Sequence, residues 1–115
     1  MRYSGKLYYD DDDDVIYVNS FIVRDNTVPP EIAFDVVTTW GEHGKWKRSG
    51  LAKYSDGVYQ SDNKESLSAV TGEKGYECKL SFKIEGRDKE FISVTGIWEE
   101  PDARCQFSGD LEIVR

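Results

Sequence analysis

The sequence holds one histidine and two cysteines. No apolar stretch in it approaches the roughly 20 residues that a membrane-crossing helix needs. A structural zinc site needs four ligands, commonly in paired CxxC spacing, and this chain has neither the pairs nor the histidines, so no metal ligand is expected. No HExxH, phosphate-binding glycine loop or Ser/His/Asp spacing in a strand–turn–helix context occurs, and no cofactor is expected. Basic residues are the minority, 15 against 22 acids. No cluster of Lys and Arg is available to neutralise phosphates, which argues against a nucleic-acid partner. The N-terminal Met1-Arg2-Tyr3-Ser4-Gly5-Lys6 lacks the apolar core of a secretory leader, and the expected location is cytoplasmic.

What the chain does have is alternation. Its 115 residues fit one domain, 1–115. Tyr76, Cys78, Leu80, Phe82 and Ile84 alternate with Glu77, Lys79, Ser81, Lys83 and Glu85, a period of two that puts one face in a core and one in water. Cys105, Phe107, Gly109, Leu111 and Ile113 repeat the pattern, and Phe91 to Trp98 lies between, joined by turn-like connections. Earlier strands are predicted at Tyr3–Tyr9, Val15–Arg24, Ile32–Trp40 and Trp46–Tyr54, with a weaker one at Ser66–Thr71. The fold class is all-β: a small antiparallel up-and-down barrel of about eight strands. A two-sheet sandwich is the alternative. The first and last strands are the natural closing pair, because closure removes exposed edges.

Two halves, 1–57 and 58–115, echo each other. Ser20-Phe21-Ile22-Val23 resembles Ser81-Phe82-Lys83-Ile84, Trp40 and Trp98 each precede an acidic turn, and Ser49-Gly50 matches Ser108-Gly109. Each half would supply four strands. Aligned this way, Val15, Tyr17, Asn19, Phe21 and Val23 share the core face, as do Trp46, Arg48, Gly50 and Ala52. Arg48 then stands where the second half has Phe107. A buried arginine requires an anionic partner, and Asp35 falls on the opposite face of its strand. A ligand carboxylate held by Arg48 and Asn19, walled by Trp46, Tyr17 and Trp40, would meet that need. Two plainer readings stand beside it: Arg48 reaches a barrel rim, or a register shift turns it to water.

Five of the seven net negative charges sit in one run, Asp10 to Asp14. The run matches the first ligand positions of a calcium loop but then places Val15 and Phe21 where Gly and Glu are needed. It reads as a hairpin loop that mutual repulsion keeps extended. His43 falls in a turn, a poor setting for acid–base work. Cys78 and Cys105 fall on strands two spacings apart, about 9.6 Å, beyond the roughly 7 Å limit for a bridge, and read as free thiols. The expected function is non-catalytic recognition of a basic protein partner through the acidic surface of Asp10, Asp11, Asp12, Asp13 and Asp14. The alternative is an anionic or amphipathic small ligand in the barrel interior. An enzyme is the least supported class.

Overall fold

A computed structural model describes all residues 1–115. The strands are β1 (Arg2–Tyr9), β2 (Val15–Arg24), β3 (Glu31–Thr39), β4 (Lys45–Ser55), β5 (Val58–Ser61), β6 (Lys64–Ser68), β7 (Lys74–Arg87), β8 (Phe91–Glu100) and β9 (Ala103–Ile113). A single 3₁₀ turn, Gly41–His43, precedes β4. Every neighbouring pair is antiparallel. β1 pairs with both β2 and β9, and β3 pairs with β4, so the sheet closes on itself without free edges. The fold is an eight-stave up-and-down barrel with one stave broken in two. Both β5 and β6 lie between β4 and β7, and Asp62-Asn63 marks the break. The sandwich is thereby excluded.

The break explains why the fifth stave was only half legible. Val58–Ser61 holds four residues, too few for a visible period. The Ser66–Thr71 prediction lies too far along the chain: β6 starts at Lys64 and ends at Ser68. At Thr71 the chain is already turning, tied by the hydrogen bond from the Gly72 amide to the Ser68 carbonyl.

The interior is filled along its length. Phe21, Phe34 and Phe107 surround Phe82 with ring centroids 5.1, 5.3 and 5.9 Å from it, at edge-on or tilted angles that favour aromatic pairs. Leu7, Ile16, Ile32, Val36, Leu80, Ile92, Val94 and Leu111 complete the layer, each essentially inaccessible to water. The alternation of β3, β4, β7 and β9 matches the sequence pattern. That of β2 does not. A bulge between Val18 and Ser20 places an extra residue in the strand. Ile16 and Val18 point inward before it, Phe21 and Val23 after it, and Tyr17 and Asn19 point outward. The expectation of one unbroken inward face on this strand is therefore corrected.

Candidate functional site

Arg48 does enter the barrel, where it is 2% exposed. Its partners come from the break, at Asp62, and from the strands on either side of it, at Ser49 of β4 and Cys78 of β7. One terminal nitrogen, Nη2, donates to the Asp62 carbonyl at 2.7 Å, to the Asp62 carboxylate at 3.1 Å and to the Cys78 carbonyl at 3.4 Å; the other, Nη1, donates to the Ser49 carbonyl. The guanidinium thus ties the break to β4 and β7, while its Nε has no partner. Ser61 assists from the other side. Its hydroxyl accepts from the Leu80 amide at 2.9 Å and donates to the Asp62 carbonyl. Gly50 makes the room: a Cβ there would sit 2.7 Å from the Arg48 Nη1 atom. Of the four residues grouped with Arg48 in the sequence, Asn19 and Tyr17 lie outside. Tyr17 instead carries the ammonium groups of Lys6 and Lys45 over its ring at 5.5 and 5.9 Å. Trp40 and Trp46 lie at the barrel's end, away from Asp62.

That end is built by four connections: residues 10–14, 40–44, 69–73 and 101–102. Together they hold eight Asp or Glu residues and no Lys or Arg. None of the eight takes part in an ion pair; the pairs of the molecule use other acids. The five-aspartate loop is not extended as expected. Asp12 Oδ1 accepts from the Asp14 amide at 2.8 Å, a local turn that folds the loop back, and the Tyr9 amide bonds to the Asp14 carbonyl. Asp14 then ties this loop to the next one. Its Oδ1 accepts from the Thr39 hydroxyl at 2.8 Å and from the Gly41 amide at 2.9 Å. Asp14 is thus a structural member of the run, while Asp10, Asp11, Asp12 and Asp13 are exposed.

Within the ring of loops lies an open pocket of about 860 Å³. Its apolar walls are Trp40, Trp46 and Tyr76, and Cys105 and Ala103 also line it. Trp40 is held from behind. Its indole stacks on Tyr9 at 5.0 Å and meets Trp98 edge-on at 5.8 Å. Tyr9 is fixed in turn by a 2.7 Å hydrogen bond to Thr38, and its burial pushes its phenol well above the usual range. Trp46 donates from Nε1 to the His43 carbonyl at 2.9 Å and lies against Gly75, where a Cβ would approach the indole to 2.7 Å. Glu100 accepts from Trp98 Nε1 at 2.8 Å through Oε2, which orients the carboxylate beside the pocket and leaves Oε1 for another donor. Asp14 and Glu42 are the other acids of the lining. Lys74 is its one Lys or Arg, and His43 stands exposed on the rim.

No family model, curated protein or solved structure matches the chain. Function has to be read from the barrel's own side chains. Negative potential reaches into the pocket. The Cys105 thiol is pushed up first by burial and then by Asp12, Glu100 and Asp11. Both cysteines are free, with Cys78 fully buried and Cys105 accessible from the pocket. Sequence reasoning reached the aspartate loop, Trp40 and Trp46. It missed Glu100 and took Tyr76 for core. Tyr76 falls at a register shift against β6, between Lys74 and Glu77, and before Lys79, where pairing with β8 begins, and it is 70% exposed. The sequence puts Glu100 in a turn with no pattern to mark it, whereas it is the last residue of β8.

Proposed function

We propose that this domain is a non-catalytic binding module that recognises a basic segment of a partner protein with the acidic end of its barrel. The observation that carries the reading is the set of eight acidic residues on four neighbouring loops, with no Lys or Arg among them and no internal ion pair to neutralise them. Like charges held together this way repel one another, and a cationic surface relieves that cost while speeding encounter. The half-buried Trp40 and Trp46 supply what charge alone lacks: rigid aromatic area of the kind that anchors interfaces. The interior, filled by phenylalanines, leaves the loops and mouth as the place for recognition. We also place the domain in the cytoplasm, a reading supported by two unpaired thiols.

The test uses the purified protein as bait at low and high salt, next to a variant carrying Asp10→Asn, Asp11→Asn, Asp12→Asn and Asp13→Asn. Asp14 is left intact because it bonds Thr39 and Gly41. A basic partner retained at about 0.05 M salt, released near 1 M, where charges are screened within about 3 Å, and lost by the variant is the expected result. Equal retention by the variant, or no basic partner at either salt, overturns the reading.

A further inference from the structure

We infer that the pocket at the mouth of the barrel receives one cationic side chain of lysine or arginine type, its stem between Trp40, Trp46 and Tyr76 and its charge on Glu100. This inference rests on the reading above and names what the acidic end selects.

The argument starts from the walls. An alkyl stem fits against aromatic faces, and a terminal cation is attracted to the same faces by their quadrupoles. The molecule already uses this chemistry outside the barrel, where Lys6 and Lys45 lie over Tyr17. In the pocket the walls are fixed in advance. Trp40 is backed by Tyr9 and Trp98, and Trp46 is bound to the His43 carbonyl and braced on Gly75. Binding therefore orders few side chains, which favours affinity for a small group. Glu100 supplies direction. Trp98 holds one of its oxygens, so the carboxylate stands oriented with the second oxygen available. A neutral stem of the same length would gain only the apolar contacts. An anion would face Glu100, Asp14 and Glu42. Lys74, the one ammonium of the lining, lies at the start of β7 and is exposed, free to swing into water when a second cation enters.

Three short peptides with blocked ends test this: Gly-Lys-Gly, Gly-Arg-Gly and Gly-norleucine-Gly. Two readouts are used with each. One is tryptophan fluorescence. The other is the alkylation rate of Cys105, which opens on the pocket while Cys78 is buried. The expected result is that the lysine and arginine peptides slow alkylation of Cys105 and bind at least fivefold more tightly than the norleucine peptide. Glu100→Gln, which keeps an oxygen to accept from Trp98, should lower lysine-peptide affinity about fivefold or more. Tyr76→Ser, a change at an exposed ring, should weaken all three peptides. Norleucine binding as well as lysine, or an unchanged affinity in Glu100→Gln, overturns the inference. If Glu100→Gln leaves both peptide and partner binding intact while the four-aspartate variant loses the partner, the inference fails and the broader reading stands. If the four-aspartate variant also keeps the partner, both fail.

Discussion

Replacing Arg48 by methionine preserves most of the volume and removes every donor. The carbonyls of Ser49, Asp62 and Cys78 would then lose their shared partner at the break in the fifth stave. Leaving buried acceptors unmatched costs about 2–4 kcal/mol, readable by urea or guanidinium unfolding. Asp62→Asn should cost under about 1 kcal/mol, because that side chain is 71% exposed and its charge returns to water. A larger loss from Asp62→Asn than from Arg48→Met would show that the ion pair, not the carbonyl contacts, secures the break. A second residue-scale effect appears in alkali. Burial pushes the Cys78 thiol from 9.0 to about 11, against the opposing charge and hydrogen bond of Arg48. The folded state therefore holds the proton more tightly than the unfolded chain. Its contribution is complete below about pH 9 and is lost as pH rises toward 11, at about 1.4 kcal/mol per pH unit. Unfolding titrations from pH 8 to 11 should show this slope, and Cys78→Ala should flatten it. Tyr9, raised by burial in the same sense, adds a further loss above pH 10.

At the scale of the strand, the bulge in β2 separates what the sequence displayed from what it hid. Alternation in β4 predicted the inward set Trp46, Arg48, Gly50 and Ala52, because that strand runs against β3 without a register shift. The closing of β1 on β9 was legible for a related reason: closure removes exposed edges, and the two strands pair without a register shift. In β2 the extra residue falls between Val18 and Ser20, and nothing in Val18-Asn19-Ser20-Phe21 announces it. One residue moves Tyr17 and Asn19 to the outside. The partners of Arg48 were hidden for another reason: three of them are main-chain carbonyls, which leave no mark on a sequence. Asn19→Ala should change stability by no more than about 0.5 kcal/mol, since the side chain is exposed and Arg2 bonds only its carbonyl. Deleting Asn19 removes the bulge and leaves Ile16, Val18, Phe21 and Val23 in strict alternation on one face, in regular register with β1 and β3, so all four stay buried. The deletion should therefore cost no more than about 2 kcal/mol and keep cooperative unfolding in circular dichroism. Loss of cooperative unfolding would mean that the barrel needs the twist of the bulge itself and not only the inward set.

Over the whole molecule, charge and apolar surface are divided along the barrel. The middle is occupied by aromatic and branched side chains that exclude water. One end gathers unpaired acids around half-buried aromatic rings. Composition alone located half of this, since most of the net charge was traceable to Asp10–Asp14. The rest needed the fold. Glu42, Glu73, Glu100 and Asp102 are scattered through the sequence and meet the aspartates only when four connections converge on one rim. The three tryptophans give a direct view of that rim, because each indole N–H has its own resonance. Trp98 bonds Glu100, Trp46 bonds the His43 carbonyl, and Trp40 walls the pocket. Titrating isotope-labelled protein with a lysine-rich peptide at low salt, and following these three signals with the backbone amides, tests the binding end directly. The account predicts saturable shifts at the three indoles and in residues 10–14, reversed by salt. Shifts confined to the outer strand faces or to the opposite end, with the three indoles unmoved, would contradict it.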